Sequence, residues 1–96
     1  MRMEKKLAVI TGADGGMGTE ITRAVARAGY RVIMACYDPA KAEAKRRMLA
    51  EETGNAEIEV RGIDLASLAS VAAFADRLLQ EGAPLALLMN NAGTME

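Results

Sequence analysis

Three glycines set the first chemical constraint in this 96-residue chain. Gly12, Gly16 and Gly18 stand at the spacing G-x-x-x-G-x-G directly after the apolar run Leu7-Ala8-Val9-Ile10-Thr11, and Gly15 adds a fourth glycine to the same turn. Residues without a Cβ let backbone amides approach a ligand closely, and a turn that opens into a helix adds the partial positive charge of the helix N-terminus. Such a turn suits the pyrophosphate of a dinucleotide. An ordinary left-handed turn is the competing reading, and it does not account for so many glycines between a buried strand and a helix.

Two further groups stand after later apolar segments. Asp64 follows the segment Glu57 to Ile63, and a carboxylate just past the C-terminal end of a parallel strand lies on the edge where such sheets bind ligands. It also suits a cap for the helix that begins near Ser67, and one side chain can do both. Asn90-Asn91 follows Leu85-Ala86-Leu87-Leu88-Met89; side-chain amides donate and accept, so they satisfy a strand end as readily as they hold a ligand. Cys36 is the one cysteine and the chain has no histidine, which excludes a disulfide framework and a Cys/His metal site. With no histidine to activate it, Cys36 reads as a small buried or cofactor-lining side chain, and the seven methionines read as core filling.

The elements that must position these groups follow from periodicity. Leu7 to Thr11 reads as a buried strand, and Met17 to Ala28 has helical spacing in Ile21, Ala24, Val25 and Ala28, with Gly29 just past its end. Arg31 to Cys36 is a second strand. Asp38 as N-cap and Pro39 at the first helical position open a helix that runs through Glu52 and stops at Gly54. Glu57 to Ile63 is a third strand, and Ser67 to Glu81 a third helix, with Leu68, Val71, Phe74, Ala75, Leu78 and Leu79 at helical spacing before Gly82. Leu85 to Met89 closes a βαβαβαβ succession, which makes the fold α/β with a parallel sheet joined by right-handed crossovers.

Composition narrows the function classes. Half the residues are hydrophobic and only 3% aromatic, a core of Ala, Val, Ile, Leu and Met. A net charge of −1 and the absence of a basic run argue against a nucleic-acid partner. The apolar run Leu7 to Ile10 is too short for a membrane or signal segment, so no membrane partner and a cytoplasmic location are expected.

Taken in order, Thr11-Gly12-x-x-x-Gly16-x-Gly18, Asp64-Leu65 and Asn90-Asn91-Ala92-Gly93 resemble the short-chain dehydrogenase/reductase family over essentially the whole chain. Ala35-Cys36 with Asp38-Pro39, Lys41, Ala42 and Glu43 is similar to its retinol-dehydrogenase-like branch. The resemblance implies a Rossmann-type sheet of strand order 3-2-1-4 that the rest of the family's domain completes. It implies that Gly12, Gly16 and Gly18 surround the pyrophosphate, with Met17 in the same turn, Asp14 near the adenosine ribose, and Asp64 and Leu65 at the adenine ring. Asn91, Ala92 and Gly93 would line the cofactor's path, and Asn90 would tie neighbouring strands.

Cofactor choice is read at the end of the second strand, where a carboxylate suits the ribose of NAD and a cation the extra phosphate of NADP. Cys36 and Tyr37 stand there, without a carboxylate and without the arginine usual in the related branch; Lys41 is a substitute cation and Asp38 a possible ribose ligand. NADP is favoured over NAD. Tyr37-x-x-x-Lys41 matches the spacing of the family's catalytic Tyr/Lys pair only by coincidence, because that pair follows the Asn-Asn-Ala-Gly turn and a catalytic Ser.

No residue of the chain is therefore expected to carry out proton transfer, and the 96 residues read as the cofactor-binding segment of a longer oxidoreductase acting on an alcohol/carbonyl pair. The expected partners are a nicotinamide dinucleotide and the remainder of the enzyme, or a second segment, to complete the sheet; the parent is expected to be a homo-oligomer. A non-catalytic nucleotide-binding or regulatory module is the alternative, and a methyltransferase does not suit Asn90 to Gly93.

Overall fold

The computed structural model describes residues 6–13, 15–82 and 85–90, which form one four-stranded parallel sheet and three helices. In chain order these are β1 (Leu7–Thr11), α1 (Gly16–Arg27), β2 (Arg31–Cys36), α2 (Pro39–Thr53), β3 (Ile58–Gly62), α3 (Leu68–Glu81) and β4 (Leu85–Asn90). The strand order is β3-β2-β1-β4, the order expected. Register pairs Thr11 with Ala35 on one side and with Asn90 on the other, so the strands end level on one edge of the sheet.

The two central strands have apolar side chains on both faces because helices cover both. Ile10, Val32, Met34, Cys36 and Ile58 point into the core beneath α1 and α2. Leu7, Val9, Ile33, Ala35 and Ile63 point the other way, toward Val71, Phe74 and Leu78 of α3. The crossovers explain this division: right-handed connections place α1 and α2 on one face as the chain steps from β1 to β3, and α3 on the other as it steps back to β4.

Several expected core positions lie elsewhere. Ala24 and Ala28 of the α1 region are exposed, and the buried side of that helix carries Thr19, Thr22 and Ala26. The threonines are tolerated inside because their hydroxyls donate to backbone carbonyls, Thr22 to Gly18 at 2.8 Å and Thr19 to Ala13 at 3.2 Å. Met34 is core, whereas Met17 (70% exposed) and Met48 (45%) are not, so core filling does not explain all the methionines. On α3 the residues Leu68, Ala75 and Leu79 are exposed, because the sheet beneath that helix is only as wide as β4 allows.

Helix ends follow the local chemistry. Asp38 accepts from the Lys41 amide at 3.3 Å with Pro39 following, and Gly54 and Gly82 end α2 and α3 in the left-handed conformation. Asn55, just past α2, is buried and pins three segments: its Nδ2 donates to Ala26 O (3.0 Å) and Tyr30 O (2.8 Å), and its Oδ1 accepts from the Glu57 amide (2.8 Å).

The α3 face of the sheet edge is held by charge. Arg61 of β3 has a side chain only 6% exposed; its Nε donates to Glu59 at 2.7 Å and its Nη2 to both carboxylate oxygens of Glu81 at 2.9 Å. Arg77 adds a contact to Glu81 at 3.3 Å. Burial pulls the Arg61 guanidinium down, but the bonds from Glu59 and Glu81 outweigh it and hold it above its ordinary value. The bond from Arg61, opposed by partial burial and reinforced by the charges of Arg61 and Arg77, holds Glu81 below the usual carboxylate range.

Replacing Asn55 by Ala removes its bonds to Ala26 O, Tyr30 O and the Glu57 amide, although Ala26 O keeps the Gly29 amide, and is expected to cost about 1–3 kcal/mol in urea unfolding. Because the folded-state pKa of Glu81 is depressed, the stability it contributes is present above its ordinary value of 4.5 and is lost as pH falls below it. The melting temperature should therefore drop more steeply below that pH in the native protein than in Glu81→Gln; parallel pH profiles would refute the assignment.

Candidate functional site

The C-terminal edge of the sheet gathers the exits of β1, β2 and β3. The Gly12 amide donates to Ala35 O at 2.9 Å, and the Ile63 amide to Cys36 O at 2.9 Å, so each chain leaves its strand still bonded to its neighbour. Gly62 brings the last two exits together: a Cβ there would lie 3.1 Å from Cγ of Pro39. That glycine is not part of any motif read in the sequence, and its tight fit is visible only in the packing of β3 against the start of α2.

The glycines of the first turn have different duties. Gly12 has φ +63°, a conformation that disfavours other residues. A Cβ on Gly18 would fall 2.1 Å from Gly12 O and 2.8 Å from Cα of Ala13, so only glycine lets the first turn of α1 rest on the β1 exit. Around Gly16, by contrast, a Cβ would meet nothing within 4 Å. Its openness is not needed by the fold and leaves space beside the helix N-terminus for a ligand.

That terminus is built to donate. Gly15 occupies the N-cap position and supplies no side-chain cap, in contrast to Asp38 and Ser67 at the other two helices. Gly15 N bonds Gly12 O at 3.1 Å and Thr19 N bonds Gly15 O at 2.8 Å, which leaves the amides of Gly16, Met17 and Gly18 without an acceptor among the described residues. Uncapped amides at a helix N-terminus suit an anion. Met17 enters the site through its backbone, with its side chain outward. Thr19, which the motif reading passed over, braces the turn through its bond to Ala13 O.

The other predicted residues stand around this turn. Tyr37 is 79% exposed directly after β2, and Cys36 before it is buried, which removes the thiol from contact with solvent. The Asp38 carboxylate is occupied in capping α2 through Oδ1. Asp64 is half-buried; its Oδ1 accepts from the Ala66 amide at 3.0 Å, and the cap of α3 is Ser67, so Asp64 shapes the turn before the helix rather than capping it. Leu65 is exposed and its amide has no partner among the described residues. Asn90 is the last residue of β4, paired in register with Thr11, whose hydroxyl donates to Met89 O at 3.4 Å. Asp14, Asn91, Ala92 and Gly93 lie outside the described residues.

A row of free amides, an open glycine and an exposed donor beside a carboxylate thus share one edge. The arrangement fits an extended anionic nucleotide laid across the exits of β1, β2 and β3. Among the described residues there is no cluster of metal-ligating side chains and no helix long and apolar enough to cross a membrane.

Comparison with known proteins agrees with this geometry. The family described as short chain dehydrogenase matches residues 6–96. Retinol dehydrogenase 12 of Mus musculus is 44% identical over 90 residues, covering 94% of this chain and 28% of its own length. Retinol dehydrogenase 11 of the same organism is 42% identical over 95 residues, covering 99% and 30%. A metagenomic short-chain oxidoreductase solved in complex with NADP superposes with a TM-score of 0.83 at 34% identity, over 93% of this chain and 39% of that one. The chain therefore spans under a third of the length of the retinol dehydrogenases it matches. With the glycine turn, the strand order and a family match that runs from β1 to its last residue, the chain belongs to the short-chain dehydrogenase family.

Proposed function

We propose that this chain is the cofactor-binding part of an oxidoreductase that moves a hydride between a nicotinamide dinucleotide and an alcohol or carbonyl substrate. The observation that carries the reading is the uncapped start of α1, where the amides of Gly16, Met17 and Gly18 stand beside the open space at Gly16. A nicotinamide cofactor supplies the hydride chemistry. The chain's own residues bind and orient: the amides hold the pyrophosphate, while Asp64 and Leu65 offer an acceptor and a donor to the adenine.

NADP is the favoured form. No carboxylate stands at Cys36 or Tyr37, and Asp38 is engaged with the Lys41 amide, which leaves it less able to chelate a ribose diol. The solved relative with NADP supports the same choice. Tyr37 and Lys41 are ligands for the adenosine side in this reading and take no part in proton transfer, since β2 lies across β1 from β4.

The rest of the family's domain is proposed as the direct protein partner. Between α3 and the strands β1 and β4 runs an apolar trough of about 470 Å³, lined by residues including Val9, Val71, Phe74, Leu78 and Leu88. β4 is an edge strand among the described residues and carries no charge, a surface that invites another strand or helix.

Two measurements test the site. Gly16→Ala should fold with stability within about 1 kcal/mol of the native protein but lose NADPH binding, whereas Gly18→Ala should lose about 3 kcal/mol or more from the overlap with Gly12. Undiminished NADPH binding by folded Gly16→Ala would sink the pyrophosphate assignment. Titration with NADPH and NADH should show tighter NADPH binding; clearly tighter NADH binding would overturn the choice of cofactor.

A further inference from the structure

The turn between β3 and α3 is closed by an arrangement that goes beyond helix capping. Ser67 caps α3 by accepting from the Ser70 amide at 3.1 Å. In the usual reciprocal box, the side chain at the third helical position returns to the amide of the cap residue. Ser70 holds that position, yet its hydroxyl reaches three residues further back and accepts from the Asp64 amide at 2.9 Å. The Ser67 amide in turn donates to Asp64 O at 3.0 Å, and the Ala66 amide to Asp64 Oδ1 at 3.0 Å.

Asp64 thus has its amide, its carbonyl and one carboxylate oxygen committed within a seven-residue loop, Asp64 to Ser70. Its second carboxylate oxygen and the Leu65 amide have no partner among the described residues. An acceptor and a donor fixed next to each other complement a heterocycle edge that offers an exocyclic amine beside a ring-nitrogen acceptor, which is the edge of adenine. Hypoxanthine presents the reverse pattern, a carbonyl beside a ring N–H, and mismatches both.

Building on the nucleotide-binding reading above, we propose that Ser70 is a positioning residue that sets adenine selectivity, without itself touching the nucleotide, by locking the Asp64 amide. Without its hydroxyl the Asp64 amide loses its acceptor and the turn keeps only the bonds from Ala66 and Ser67, so the carboxylate and the Leu65 amide are held less tightly in one mutual orientation. The pyrophosphate turn at Gly12 to Gly18 is on a different strand exit and is left as it was.

The test compares NADPH with its hypoxanthine analogue, reduced nicotinamide hypoxanthine dinucleotide phosphate, by fluorescence titration of the native protein, Ser70→Ala and Ser70→Thr. The native protein should favour NADPH by about tenfold, as two hydrogen bonds are at stake. Ser70→Ala should shrink that preference to about twofold by weakening NADPH alone, with the analogue bound as before. Ser70→Thr keeps the hydroxyl, and its added methyl has room in the cleft of about 410 Å³ that Ser70 lines with Phe74 and Arg77, so the preference should survive. A merely structural role would weaken both ligands equally in Ser70→Ala; that result, an unchanged preference in Ser70→Ala, or no preference in the native protein would overturn the proposal. Failure of the native protein to bind NADPH at all would instead remove the nucleotide-binding reading on which it rests.

Discussion

The contact on which the rest of the structure turns is the one between Gly18 and the carbonyl of Gly12. The first turn of α1 lies against the backbone that has just left β1, at a distance that no Cβ could occupy. Because the helix sits there, its N-terminal amides face the edge of the sheet, and Ala13 is sealed beneath it. Thr19 and Thr22 then become inward residues, Thr19 bonded to Ala13 O across this approach and Thr22 to Gly18 O within its own helix. A looser crossing would move the helix, its dipole and the donor row away from the ends of β2 and β3 together.

The two faces of the sheet are held by different physics. Under α1 and α2 the core is closed, with Ile10, Val32, Met34, Ala42 and Leu49 inaccessible to water. Under α3 the apolar contacts are partial, and Arg61 with Glu59 and Glu81 fixes the helix to the sheet edge. A buried guanidinium is costly unless it is paired on nearly every side, so this clamp serves geometry more than stability. It leaves the apolar trough beside β4 open. The outer edge of β3 is guarded differently: Arg46 of α2, itself paired with Glu43, donates to Ile58 O at 3.4 Å.

The site inherits this asymmetry. Its donors come from the rigid face, through α1, whereas the proposed adenine end comes from the turn into α3, the more weakly packed helix. That turn therefore needs internal bracing, and the loop from Asp64 to Ser70 supplies it with hydrogen bonds between its own residues. The end proposed to bind the anion is held by tertiary packing and the end proposed to bind the base by local bonds.

The sequence by itself determined the element succession and the parallel sheet, and it singled out the turns proposed to hold the ligand, because glycine spacing, apolar runs and capping residues are local features with local causes. Asp38, Pro39, Gly54 and Gly82 mark helix ends wherever the chain folds. Tertiary structure decided what depends on residues distant in the chain. It turned Ala24 outward and Thr22 inward, because only the assembled sheet decides which side of α1 is covered. It separated Gly18, where an added Cβ would fall 2.1 Å from Gly12 O, from Gly16, around which there is open space, though the two look alike in a motif. It also buried Arg61, a polar residue in a short strand, since only the fold brings Glu81 from twenty residues away to meet it.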